Sequence, residues 1–189
     1  LEIALCGNDE YRDKMNQIPY DFYSIKGLLE GIMKLLGIEP TRYKLERLVS
    51  DKTELHPGRS AVIKCGKDVI GFLGELHPLE LKKYDLGKTN CQVMELNLST
   101  LLNMKVSTGK LNPPSKFPSV ERDLALVVKS EVPVSDVIRT IKMAGKDIIS
   151  NVEVFDEYRG EHIDIGFKSI ALKITYSYKD RTLEEKDIT

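Results

Sequence analysis

Two histidines stand in matching settings, Leu55-His56-Pro57-Gly58 and Leu76-His77-Pro78-Leu79, with Arg59 directly after the first. Imidazoles ligate zinc or move protons, and a guanidinium grips phosphate or carboxylate. A structural zinc takes three or four Cys, His or carboxylate ligands, commonly in close local pairs. No such pair occurs here: Cys6, Cys65 and Cys91 are widely spaced, and His162 stands alone in a polar stretch. No metal is expected, and each His-Pro reads as a strand end. The odd cysteine count argues against a disulfide framework, so buried thiols in a reducing compartment are expected. Nucleophilic or phosphoryl chemistry needs a placed nucleophile, base or phosphate loop. The sequence has no G-x-S-x-G, G-x-x-x-x-G-K-[ST] or G-x-G-x-x-G, and its carboxylates are scattered along helix faces and strand ends. No catalytic residue is assigned. The glycines of "HPGRSAVIKCGKDVIGFLGELHP" have hairpin spacing, with no helix N-terminus behind them to hold an anion. Arg59 is left as a surface charge or as the bidentate partner of a carboxylate.

A third cluster, Glu121, Arg122 and Asp123 in "KFPSVERDLALVV", abuts an apolar run. It is either an acid-base group or the mouth of a strand that sends Leu124, Leu126 and Val128 into a core. The elements around it favour the strand. After it, "VPVSDVIRTIKMAG" reads as a helix with Pro133 in its first turn, Val134, Val137, Ile138 and Ile141 buried, and Gly145 beyond its end. "ISNVEVFDEYRG" and "KSIALKITYSY" read as two more strands. Period two puts Ile170, Leu172, Ile174, Tyr176 and Tyr178 toward the helices and Ser169, Ala171, Lys173, Thr175 and Ser177 outward. The same count places Glu153, Phe155, Glu157 and Arg159 on one face, with Phe155 beside Lys173. An exposed aromatic on an open sheet can stack on unpaired bases; it can equally fill an irregular core. Thr182 and Glu185 have capping-box spacing and predict a second helix. The order β-α-β-β followed by a helix is the ferredoxin-like βαββαβ pattern, here expected to be truncated at its C-terminal end.

Upstream, "DFYSIKGLLEGIMKLLG" repeats apolar residues every three or four positions, between Asp21 as N-cap and Gly37 with Pro40 as stop. A hairpin over Arg59 to Leu76, a short helix at "LELKKYDLG" and strands at "LEIALCG" and "CQVMELNL" complete an α+β domain. "TGKLNPPSKFP", with three prolines, is the expected linker. The division is therefore 1–107, linker 108–118, and 119–189. Since "LEIALCG" reads as a strand interior, the chain is expected to be a piece of a longer polypeptide. With 41% hydrophobic and 30% charged residues the composition is that of a soluble cytoplasmic protein, without a membrane span. A net charge of −1 gives no basic footprint for nucleic acid.

In order and separation, "FPSVERDLALVV", "VFDEYRG" and "KSIALKITYSYKDRTLEE" resemble the ferredoxin-fold anticodon-binding domain that ends the bacterial phenylalanyl-tRNA synthetase beta subunit. "DFYSIKGLLEGIMKLLG", "HPGRSAVIKCGKDVIGFLGELHP" and "VMELNLSTLL" resemble the domain before it, a class II synthetase-like antiparallel sheet that has lost its chemistry. The resemblance implies packing against the catalytic alpha subunit in an (αβ)2 heterotetramer and contact with the anticodon region of tRNA(Phe). ATP and Mg2+ would serve the holoenzyme and not this chain, which lacks the class II arginine-bearing motif. The family's editing domain and magnesium site lie upstream of the matching region. Matched to the motifs F-P-x-x-x-R-D, F-D-x-Y and R-T-L, and to the open-face count, the expected RNA-binding residues are Arg122, Phe155, Asp156, Tyr158, Ser169, Lys173 and Arg181. Asp123 and Thr182 are expected to be structural. A small-molecule-binding regulatory α+β module is the alternative, because fold alone does not settle function.

Overall fold

The computed structural model describes residues 1–9, 18–48, 54–87, 89–104 and 115–188. The first elements are strand β1 (Glu2–Cys6) and a small ladder between β2 (Asn8–Asp9) and β3 (Ile18–Pro19). Helix α1 (Phe22–Leu35) follows, capped as its sequence demands. Asp21 Oδ1 accepts the Ser24 N–H at 2.8 Å, and Ser24 Oγ accepts the Asp21 N–H at 3.2 Å. At the other end Gly37 takes φ 70°, which lets the Ile38 N–H reach the Met33 carbonyl at 2.8 Å. Strands β4 (Tyr43–Arg47), β5 (Leu55–Cys65) and β6 (Asp68–Leu76) come next, then α2 (Pro78–Lys83), β7 (Cys91–Leu96) and α3 (Leu98–Leu102).

The five long strands form one antiparallel sheet in the order β1-β7-β6-β5-β4. Ile25, Leu29 and Met33 of α1 are buried on Ile63, Leu73, Met94 and Leu96 of the sheet. The hairpin begins at Leu55, earlier than the expected Arg59, with a register break between Leu55 and Ser60. His77 caps α2 by accepting the Leu79 N–H on Nδ1 at 3.2 Å, while His56 sits inside β5 and accepts the Gly58 N–H at 3.1 Å.

The thiol expectation is corrected at one pair. Antiparallel register sets Cys6 directly opposite Cys91, with Cα atoms 4.3 Å apart, and their sulfurs are joined as a disulfide. The 85-residue separation hides this adjacency from a reading of spacing. Cys65 is the free, buried thiol, and burial pushes its pKa up.

The chain divides into units Leu1–Leu111 and Asn112–Thr189. Residues 108–114 of the expected linker lie outside the described residues. In the second unit, β8 (Val120–Lys129), α4 (Val134–Gly145), β9 (Ile149–Tyr158) and β10 (Phe167–Tyr176) form a three-stranded antiparallel sheet, ordered β8-β10-β9, with α4 on one face. Val137 of α4 packs with Val152, Ile170, Leu172 and Ile174, flanked by Leu126 and Val128. This is the α+β, ferredoxin-like order expected. Leu124 shares that face but stays exposed, against the expectation that it enters the core, since the cluster around Val137 reaches Leu126 and Val128 and does not include it.

Two local expectations are corrected. Gly145 is the last residue of α4, not a residue beyond it, and Pro133 is its N-cap; a Cβ on Gly145 would lie 2.1 Å from Ile149 Cδ1, so close packing rather than a turn explains this glycine. The capping box belongs to Glu184 and Asp187 around a short 3-10 turn (Glu185–Asp187), not to Thr182 and Glu185. Among the described residues no helix is long and apolar enough to cross a membrane.

Candidate nucleic-acid interface

Strand register decides which side chains share the sheet face away from α4. On central strand β10 that face carries Phe167, Ser169, Ala171, Lys173 and Thr175, since the residues between them include the buried Ile170, Leu172 and Ile174. Opposite partners on β8 are Lys129, Val127, Ala125, Asp123 and Glu121. On β9 they are Asn151 opposite Thr175 and Glu153 opposite Lys173, up to a bulge. There Leu172 opposes Val154 and Ala171 opposes Asp156, so Phe155 is the extra residue. Past the bulge Tyr158 opposes Ser169.

The bulge has a direct consequence for the site. Simple alternation would give Phe155 and Glu157 one face and Asp156 and Tyr158 the other. Instead Phe155, Asp156, Tyr158, Ser169 and Lys173 lie together on the open face, and Glu157 is turned to the helix side. The expectation that Glu157 and Arg159 share the face of Phe155 is thereby corrected. Glu157 receives the buried Lys168 Nζ at 3.2 Å and Arg159 through Nε and Nη2 at 3.0 and 2.8 Å. Burial pushes the Glu157 pKa up, but the hydrogen bonds from Arg159 and Lys168 outweigh it and the net shift is downward.

Two expected residues stand apart. Arg122 opposes the buried Ile174, so the register puts it on the helix side, where Nη1 donates to the Glu121 carbonyl at 3.2 Å. Asp123, its neighbour, is the one on the open face. Arg181 lies beyond β10 and is committed to Asp187, giving Nη1 to Oδ2 at 2.6 Å and Nη2 to Oδ1 at 2.8 Å, with its guanidinium 5.8 Å from the Tyr178 ring centroid. This pair raises the Arg181 pKa further and ties the turn after Tyr178 together.

Phe167 and Val127, 38% and 59% exposed, complete the apolar part of the open face beside Phe155 at 56% and Tyr158 at 48%. Sequence reasoning missed both. Counting back by two from Ser169 reaches Phe167, but the strand was started at Lys168. The result is three aromatic rings between the middle of the sheet and the β9–β10 loop, with Lys129 opposite Phe167, and Glu121, Asp123, Glu153 and Lys173 toward the other end. Lys173 there lies 3.9 Å from Glu121.

Among the described residues of the first unit, Arg59 is the guanidinium that the sequence singles out. Arg59 Nη1 meets Glu75 Oε1 and Oε2 at 2.7 and 2.9 Å, and Glu75 is almost fully buried. The carboxylate occupies the guanidinium, the second of the two readings of Arg59. The His56 and His77 rings stack with centroids 6.2 Å apart, but among the described residues no group of three ligands could hold a metal.

An antiparallel sheet backed by a helix on one side and exposing aromatics on the other is an α+β arrangement of the kind on which unpaired bases can stack. Residues 115–189 match the family description "Ferredoxin-fold anticodon binding domain". Residues 1–98 match "Phenylalanyl tRNA synthetase beta chain CLM domain". The chain belongs to the phenylalanyl-tRNA synthetase beta chain family. Among its relatives is the phenylalanine--tRNA ligase beta subunit of Geobacillus kaustophilus, 40% identical over 89% of this chain and 20% of that protein. The Bacillus licheniformis subunit is 40% identical over 90% of this chain and 21% of its own length. That of Staphylococcus aureus is 37% identical over 96% and 22%. The chain thus spans about a fifth of the length of these relatives.

Proposed function

We propose that this chain serves tRNA(Phe) aminoacylation by binding rather than by bond making. The observation that carries the reading is the joint exposure of Phe155, Tyr158 and Phe167 on the uncovered face of β9 and β10. Unpaired bases of an anticodon loop stack on such rings, and Ser169, Asp156 and Lys173 supply hydrogen-bonding groups to base edges and backbone. Residues 119–189 act as the anticodon-binding domain, 108–118 as the linker, and 1–107 as a non-catalytic assembly domain. That domain meets the catalytic alpha subunit in an (αβ)2 complex in the cytoplasm. On this reading ATP and Mg2+ act elsewhere in that complex.

The test is binding by the intact holoenzyme of tRNA(Phe) and of a version with a scrambled anticodon. The expected result is tighter binding of the first, and a loss of that preference in Phe155→Ala. Equal affinity for both tRNAs, with Phe155→Ala indistinguishable from the parent, overturns the reading.

A further inference from the structure

We infer that Glu157 and Lys168 are positioning residues: their ion pair on the helix side fixes the phase of β9 and so holds Tyr158 on the open face. The inference rests on the open face being the nucleic-acid surface.

Upstream of the bulge, Val152 and Val154 oppose Ile174 and Leu172. If that register ran on unbroken, Glu157 would oppose Ser169 on the open face and Tyr158 would oppose Lys168 on the helix side. The extra residue Phe155 advances everything after it by one, and a shift of one residue exchanges the two faces of a strand. Only Asp156, Glu157 and Tyr158 follow the bulge within β9, and β9 is an edge strand. So short a ladder fixes its own register poorly.

Lys168 supplies the missing specification. It is 5% exposed, and an ammonium is almost never buried so fully unless it is paired. Its partner is Glu157 Oε2 at 3.2 Å, while Glu157 Oε1 is held by Arg159. Slipping β9 back by one residue sends Glu157 to the open face and leaves the buried charge uncompensated, the costly way to break such a pair. The bulged register is therefore the one that keeps Lys168 paired. On the other face Tyr158 then stands beside Ser169, its Oη donating to the Glu161 carbonyl at 3.3 Å. Gly160 leaves room for the ring, since a Cβ there would lie 2.7 Å from Tyr158 Oη.

Steady-state aminoacylation by the intact holoenzyme, with tRNA(Phe) varied, separates positioning from general stability. Lys168→Met, which keeps the buried volume, and Glu157→Gln, which keeps the shape, are each expected to raise KM for tRNA about tenfold, the size of one lost base stack. Tyr158→Ala should do the same; kcat should stay near the parent in all three, the melting temperature should stay near the parent in Lys168→Met and Tyr158→Ala and fall in Glu157→Gln, which leaves the buried ammonium unpaired, and Lys168→Arg should keep KM near the parent. If Phe155→Ala and Tyr158→Ala raise KM while Lys168→Met and Glu157→Gln do not, the clamp is wrong and the open-face reading stands. A fall in melting temperature with KM and kcat both lost, unrescued by Lys168→Arg, also overturns it, since that is the mark of a purely structural pair. If none of the four variants moves KM, the open face itself is not the tRNA surface and the clamp falls with it.

Discussion

Single side chains in this protein are set by partners that spacing alone does not name. Glu46 of β4 shows the electrostatic side of this. It is a partly exposed carboxylate joined to both Lys44 and Lys64, and hydrogen bonds from these two lower its pKa from 4.5 to about 2. A carboxyl group whose folded-state pKa is depressed adds stability that is present above its unfolded pKa and is withdrawn as pH falls through the folded one. The difference in urea stability between the parent and Glu46→Gln should therefore be constant above pH 5 and shrink as pH falls from 4.5 toward 2. Since both lysines are partly solvated, added salt should reduce it as well. A difference that grows on acidification would show that the carboxylate is not held by these lysines. Arg59 gives the complementary lesson. Its two readings, surface charge or carboxylate partner, resolve to the second because β5 and β6 bring Glu75 beside it.

Elements were more legible than residues, and their failures are specific. Helix α1 was readable at both ends because Asp21 and Gly37 each satisfy a local backbone need that spacing exposes, while the part of Ser24 in the cap emerged only in the structure. The strands of the second unit were readable because Ile170, Leu172 and Ile174 alternate with small and polar residues. What alternation could not convey is the bulge, because an inserted residue leaves no mark in a count of two; Asp156 and Tyr158 belong on the face of Phe155 only through it. Arg122 was assigned by its motif match, although the alternation that sends Leu124, Leu126 and Val128 inward puts it on the helix side and its neighbour Asp123 outward; the pairing of Cys6 with Cys91 was hidden because register alone creates it. Close approach between strands was also invisible. A Cβ on Gly71 would lie 2.0 Å from the Glu95 carbonyl oxygen, a backbone atom that moves only if β6 and β7 part. Gly71→Ala is expected to cost about 1–3 kcal/mol, measured by chemical denaturation, the range for overpacking. Gly27→Ala, at a helical position with open space around the added carbon, should be neutral or slightly stabilising. Equal effects at the two positions would refute the steric argument.

At the scale of the whole molecule, charge constrains how such a protein can hold RNA. The sequence carries 28 basic and 29 acidic residues, and the open face of the second unit sets Lys129 and Lys173 against Glu121, Asp123, Glu153 and Asp156. This face cannot supply the counterion release that dominates most nucleic-acid binding. On the proposed reading its contribution comes from ring stacking and hydrogen bonds, and phosphate contacts fall to other parts of the proposed assembly. Stacking and phosphate contacts respond differently to salt, and that difference is measurable. In the intact holoenzyme, Phe167→Ala should weaken tRNA(Phe) binding by a similar factor at every salt concentration, roughly five- to a hundredfold for a base stack worth about 1–3 kcal/mol. The slope of log affinity against log salt should not change. Lys173→Ala should change that slope by at most about 0.7, the value for one phosphate contact on a single strand, with a smaller loss of affinity at high salt. A Phe167→Ala effect that vanishes at high salt would mean that the aromatic end of the sheet acts through charge. In that event the acidic balance of this face, rather than its rings, would need to explain how it meets RNA.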